Sequence, residues 1–364
     1  MILRVSPRDP LVARDGRPFG AGSGNKMRLL PWPYPSLLAG AFRHLAGTVA
    51  GKFDPELLKR IAVLGPLLED NGSLCFAWPR DLAMDKEGRL HVLQPMKQDM
   101  AQEISNLPFE MLAIGSTAIS GKTQEPPPFL DSAGMAAWLC GAKADAAHYR
   151  YGPKMIERTH VALNRERRAA EEAMLFTTGG LEFGITQSLS LRIQATGADA
   201  QSQASEAGLK RRIHALGGER RMAVWEKPQT SPSWDCPAAI RGALKGATHL
   251  RMVLATPGNW DGGWLPQWLS SGSGLIPGTN VEVILRGACL DRWLPVSGWS
   301  YETASFGPKA MRRLVPAGSV YFLEVIRGDA EELATKWLAP VGDGEEESQT
   351  MRDGFGMALW GIWS

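Results

Sequence analysis

Gly208 to Trp225 reads G-L-K-R-R-I-H-A-L-G-G-E-R-R-M-A-V-W. Leu209, Ile213 and Leu216 recur at i, i+4 and i+7, which predicts one face of a helix. Gly217 and Gly218 would end that helix, since glycine accepts the left-handed conformation of a helix C-terminus. Met222 to Trp225 read as a strand. The turn between them is basic: Lys210 to Lys227 hold six Lys/Arg against two Glu, a local charge of +4 in a chain of +2. A glycine-rich turn admits close approach of an anion, and the fork of Arg220 or Arg221 matches phosphate geometry. The plainer role for Lys210, Arg211, Arg212 and His214 is to complement the negative end of the helix dipole. The turn has an echo: Asp353-Gly354-Phe355-Gly356 precedes Met357-Ala358-Leu359-Trp360, close to Met222-Ala223-Val224-Trp225, and hints at two related halves.

Outward from this turn, 364 residues favour two domains, cut at 1–229 and 230–364, with Thr230-Ser231-Pro232-Ser233 as linker. A net charge of +2 argues against a nonspecific binder of the histone kind but permits a local nucleic-acid path. Cys75, Cys140, Cys236 and Cys289 lie far apart with no C-x-x-C pair, which predicts reduced thiols and a cytoplasmic protein. No signal-peptide pattern opens the chain, and no apolar run approaches a membrane span.

Taken in order, residues 1–5 predict a strand, and Arg8 to Pro18, with Arg14 and Arg17, a basic loop running into the glycines at 20–24 and Lys26. Ser36 is the expected N-cap of a helix with Leu38, Phe42, Leu45 and Val49 on one face and Arg43 off it. Asp54-Pro55 opens a second helix, expected to end near Gly65-Pro66. Leu74 to Trp78 read as a strand, Leu82 to Leu93 as a hairpin, residues 94–130 as irregular, and Met135 to Cys140 as a helix. Arg158 to Leu163 predict a strand, Asn164 to Glu172 a polar tip, and Met174-Leu175-Phe176 the return. With four Arg and one Glu from Arg158 to Arg168 (Arg165 and Arg167 between), this is a projecting cationic hairpin, a thumb over about 150–180. Leu181 to Ala195 predict one long strand. The second half offers strands at His249–Ala255, Val281–Leu285 and Ser319–Val325, a helix at Ala330–Leu338, the glycine turn and a last strand. Both halves then read strand, helix, strand, strand, helix, glycine turn, strand, an α+β class of two ferredoxin-like, RNA-recognition type domains.

Other motifs lead nowhere specific. Gly115 to Thr123 has five residues between its glycines where a P-loop needs four, and Pro126-Pro127-Pro128 leave no room for the helix. The six histidines show no metal-ligand spacing, so no metal and no cofactor is expected. His160 stands out because arginines surround it, and Glu219 is expected to pair with Arg220, Arg221 or a backbone N–H. Trp260, Trp264 and Trp268, four apart, fit a stacking platform or, more plainly, core and contact tryptophans.

Nearly end to end, the chain resembles the third-subunit family of the Cmr complex, the type III-B CRISPR–Cas effector, within the RAMP superfamily. The resemblance is carried by Arg8-Asp9-Pro10-Leu11-Val12, Arg14 to Phe19, Leu38 to Arg43, His160 to Leu163, Leu175 to Thr178, Leu216 to Arg221, Leu254 to Pro257, Val315 to Tyr321 and Gly354-Phe355-Gly356. Phe42 departs from a smaller aliphatic residue usual there. The resemblance implies a non-catalytic subunit that holds the 5′ repeat-derived tag of CRISPR RNA and contacts the large Cas10-type subunit and the RAMP backbone subunit. By position it assigns Gly217 to Arg221 and Gly354 to Gly356 to the two glycine-rich loops and Arg158 to Arg168 to the thumb. The expected RNA-binding set is Arg14, Arg17, Lys26, Arg43, Arg158, His160, Asn164, Arg165, Arg167, Arg168, Gly217, Gly218, Arg220, Arg221, Gly354, Phe355 and Gly356. Two rivals stand beside it: an endoribonuclease that processes CRISPR RNA precursors with His160 or His214 as acid or base, and a purely protein-binding scaffold.

Overall fold

The computed structural model describes residues 1–15, 17, 19, 25–51, 53–96, 108–109, 111–116, 121–184, 189–197, 210–230, 233–300, 306–344 and 347–363. The glycines at 20–24, Leu209 and the middle of the expected linker fall outside them. The chain divides into two compact units. The first comprises 1–66, 152–229 and 295–313; the second comprises 67–151, 230–294 and 314–364. The single cut read from the sequence, at 229/230, is thus one of several crossings. Each unit is therefore assembled from three stretches of sequence.

In the first unit, strand Ile2–Pro7 is central, antiparallel to Leu189–Thr196 on one side and Met222–Glu226 on the other. Arg211–Ala215 adds an outer strand beside Met222–Glu226, and residues 62–66 flank Leu189–Thr196. Leu3, Val5, Leu191, Ile193 and Trp225 face one core with Leu38, Ala39, Phe42 and Leu45 of helix Pro35–Ala50. The apolar face of that helix is the one its 3.6-residue period predicts. The helix begins a residue before Ser36, behind Tyr34, and no side chain caps it. Pro35, with φ already fixed, suits a first turn whose N–H would be unsatisfied anyway.

The second helix, Pro55–Lys59, is capped by Asp54, whose carboxylate accepts from Leu57 N at 3.2 Å. It stops well before Gly65, because strand Ala62–Asp70 takes over. Asp54→Ala should therefore cost about 1 kcal/mol. Ser36→Ala, which removes no cap, should stay within about 0.5 kcal/mol. Urea denaturation of the two variants checks the pair.

The predicted helix at 209–216 is instead strand Arg211–Ala215, in antiparallel register with Met222–Glu226 from Arg211↔Glu226 to Ala215↔Met222. Arg211, Ile213 and Ala215 also alternate with Arg212 and His214, and pairing satisfies an open strand edge that a helix would leave bare. The expected strand over 181–195 is likewise divided: one strand ends at Glu182, and the next runs Leu189–Thr196.

The second unit repeats the order of the four inner strands and adds its edge strand on the opposite side. Central His249–Leu254 lies antiparallel to Val320–Arg327 and Ala358–Ile362, with Glu282–Cys289 beyond Val320–Arg327 and Ser273–Leu275 at the edge. The echoed sequences occupy matching places: Trp225 lies opposite Val5 and Trp360 opposite Met252, both fully buried. Helix Ala238–Leu244 was not read from the sequence, and the helix expected at 330–338 is a 3₁₀ helix over Ala330–Lys336. Residues 94–130, expected to be irregular, contribute short strands at Gln94–Met96, Ala113–Gly115, Thr123–Gln124 and Phe129–Asp131. Trp260 is a core residue, its indole N–H donating to Val341 O at 3.0 Å.

Candidate nucleic-acid interface

The cationic hairpin is formed by Lys154–Asn164 and Ala169–Glu182 in antiparallel register. Its tip is built by Asn164, whose side-chain oxygen accepts from Glu166 N at 3.1 Å and Arg167 N at 2.9 Å, an Asx turn. Asn164 therefore shapes the loop, and Arg165, Arg167 and Arg168 are exposed around it. Arg158 and His160 share one face of the hairpin. There His160 Nε2 lies 2.8 Å from Thr178 Oγ1, and its ring stacks on Phe176 at 5.5 Å and 17°. Phe19 meets the same Phe176 edge-on at 6.2 Å. The sequence reading of the site omitted Phe19 and Phe176; the signal that finds them is the register placing Phe176 opposite His160. Lys26 is exposed and ion-paired with Glu157 at 2.6 Å, in a short strand alongside Phe176 and Thr177.

The basic loop of residues 8–17 is tied to this hairpin and to the glycine turn. Leu11 and Leu181 exchange both backbone hydrogen bonds, at 2.8 and 2.9 Å. One residue along, Gly218 N donates to Val12 O at 2.9 Å, and Arg8 N donates to Met222 O at 2.8 Å. Arg14 is exposed and donates to Arg17 O, while Arg17 pairs with Asp15 at 3.2 Å. Arg14, Arg17, Lys26, the hairpin and the glycine turn thus belong to one connected stretch of surface.

The glycines serve a different contact from the expected one. Gly217 has φ +76°, and a Cβ there would sit 2.6 Å from Val12 O, so close approach of the turn to its own chain requires this glycine. Gly218 to Arg220 form one 3₁₀ turn in which Glu219 and Arg220 have φ of 56° and 53°. Arg220 is exposed at its crest, and Arg221 is half-buried and bonded to Glu219 Oε2 at 2.9 Å, the pairing expected for that carboxylate.

Two expected components stand apart. Arg43 aims its guanidinium at the chain, donating through Nε and Nη2 to Ile61 O at 3.1 and 2.7 Å. Gly354, Phe355 and Gly356 are buried in the second unit, Phe355 at 1% exposure. Gly356 N donates to Pro257 O at 2.9 Å, and a Cβ on Gly356 would lie 2.7 Å from Val341 O. Close packing therefore requires that glycine, and the second loop offers no surface comparable to the first.

The structure also pairs His44 with His214, Nδ1 to Nε2 at 2.9 Å with rings 5.0 Å apart. Burial and the neighbouring His44 push the His214 imidazole down from its ordinary value. Nothing in the spacing of the sequence joins residues 170 positions apart. Among the described residues no cluster of three or more His, Cys, Asp or Glu is placed to hold a metal, and no helix is long and apolar enough to cross a membrane.

This strand-rich α+β chain, with exposed arginines on its hairpin and at its glycine turn, is similar in fold to chains of type III-B Cmr-β complexes. It aligns with a chain of a type III-B Cmr-β complex bound to cognate target RNA, over 99% of this chain and 96% of that one, at 14% identity and a TM-score of 0.54. A chain of the same type of complex with target RNA and AMPPnP aligns over 88% and 86%, at 15% identity and a TM-score of 0.50. Residues 3–363 match the family described as CRISPR-associated protein (Cas_Cmr3), and the chain belongs to that family. No curated protein matches it.

Proposed function

We propose that this chain is a CRISPR RNA-binding subunit of a type III-B effector, gripping the 5′ repeat-derived tag and bridging the large Cas10-type subunit to the RAMP backbone subunit without chemistry of its own. The carrying observation is the connected surface of the first unit, where backbone bonds through Leu11 and Val12 join the hairpin to the glycine turn. Single-stranded tags are held by cationic contacts to phosphate together with a few stacked bases, and this surface supplies both kinds of group. Ferredoxin-like domains fit the order of the four strands that both units share, leaving aside the edge strands Arg211–Ala215 and Ser273–Leu275: the central first strand lies between the third and fourth.

The test is salt-dependent binding. Arg220→Ala with Arg221→Ala should make log K against log salt shallower by about 1.4, at roughly 0.7 per single-strand phosphate contact. An unchanged slope and affinity would remove the glycine turn from the site. Cleavage of precursor RNA by the purified chain, abolished by His160→Ala or His214→Ala, would favour the endoribonuclease reading instead. The absence of RNA crosslinks to this chain in the assembled effector would favour the scaffold.

A further inference from the structure

The stretch 295–313 comes from the second half of the chain, yet it packs within the first unit. Trp299–Ser300 pair antiparallel with Gly307–Pro308, Lys309 N donates to Gly298 O at 2.8 Å, and Ser297 Oγ donates to Lys309 O at 2.7 Å. The returning limb, Phe306 to Arg313, carries Lys309, Arg312 and Arg313 and no acidic residue. On it Phe306 is 67% exposed and Met311 53%. Lys309 and Arg313 are exposed as well. Arg312 of the limb and Arg14 of the basic loop both lie near enough to the half-buried Tyr34 hydroxyl for their charges to act on it, against the burial that raises it.

We infer that residues 306–313 form a second contact for single-stranded RNA, with Lys309, Arg312 and Arg313 on phosphates and Phe306 beneath a base. The inference rests on the RNA-binding reading above and extends its surface past the Arg14 loop. Charge decides the partner class. Three cations in eight residues attract a polyanion, and an exposed ring among cations is the arrangement on which unpaired bases stack whatever their sequence. This contact uses side chains separate from those of the glycine turn, so losing either set leaves the other in place.

The experiment uses the full chain and fluorescein-labelled CRISPR RNA, with anisotropy read from 50 to 200 mM salt. Lys309→Ala, Arg312→Ala and Arg313→Ala together should make the salt slope shallower by about 2.1, again at roughly 0.7 per contact. Should the triple variant fold poorly by circular dichroism, Lys309→Ala with Arg313→Ala, which leaves Arg312 beside Tyr34, should lower it by about 1.4. In the assembled effector, Phe306→Ala should abolish UV crosslinks to 306–313 and leave those to 158–168. A slope unchanged by these variants but lowered by Arg220→Ala/Arg221→Ala overturns the second contact alone and points this limb toward a protein. A slope unchanged by both sets overturns the RNA reading and this inference with it.

Discussion

Asp81→Ala should destabilise the chain by about 3–5 kcal/mol, the range for a buried ion pair that loses one partner. Asp81 and Arg251 are 0% and 3% exposed and meet at 2.6 Å. Trp138 completes the cluster: its indole N–H donates to Asp81 at 3.2 Å, its carbonyl accepts from Arg251 at 3.0 Å, and its ring lies 4.4 Å from the guanidinium carbon. Alanine at 81 removes the carboxylate and leaves a guanidinium that water cannot reach. Changing both partners, Asp81→Leu with Arg251→Met, should recover most of the loss, because a pair replaced whole leaves no charge stranded. Urea denaturation at pH 7 reads both variants.

The same cluster fixes a pH dependence. Burial pushes the Asp81 carboxyl up to about 6, further than Arg251 and the Trp138 hydrogen bond pull it down. Between an unfolded value near 4 and about 6, the folded chain binds a proton that the unfolded chain does not. This group's contribution to stability is therefore greatest below that window and falls as pH rises through it, levelling above. The gap between the parent chain and Asp81→Ala should narrow from pH 4 to pH 7. A gap that widens would mean that attraction to Arg251 outweighs burial.

Asp81, Trp138 and Arg251 are scattered through the sequence, and no local pattern joins them. The same reason explains what else the sequence concealed. The alternation of Leu189, Leu191 and Ile193 with Ser190, Arg192 and Gln194 suggests one solvent face. Yet Ser190 and Arg192 are as buried as Leu191, and burial pushes the Arg192 guanidinium down to about 10. A period of two shows which residues share a face; it carries no information about what covers the other. At 209–216 the i, i+4, i+7 apolar spacing coexists with a pattern that a strand also satisfies, and the partner strand decided between them. Gly217 was legible as a turn through its positive φ, but its purpose lies in Val12, some 205 positions earlier. The hairpin was legible because it is local. Polar tip, flanking apolar residues and arginines fall in one window, and hairpin pairing needs no distant contact. The echo of Met-Ala-Val-Trp in Met-Ala-Leu-Trp survived for a related reason, since each tryptophan fills the same place opposite the central strand of its own unit.

Replacing Arg158, Arg165, Arg167 and Arg168 together by alanine should have the largest effect on binding. All four are exposed, and Asn164 holds the turn through its own side chain, so the hairpin should keep its fold and its melting temperature. If each arginine engages one phosphate, the salt slope becomes shallower by about 2.8, and the affinity lost between 50 and 200 mM salt shrinks by about 50-fold. Asn164→Ala provides the contrast. It removes no charge, so its slope should match the parent while the tip loosens, seen as faster amide exchange at Glu166 and Arg167. His160→Ala acts through neither route: it removes the ring stacked on Phe176 and should weaken binding with little change in salt slope, the signature of lost stacking rather than lost counterion release. Were the quadruple variant to bind with the parent's slope, the arginines would be a solvated turn, and the RNA contact would belong to the glycine turn, the loop of Arg14 and Arg17 and the limb 306–313.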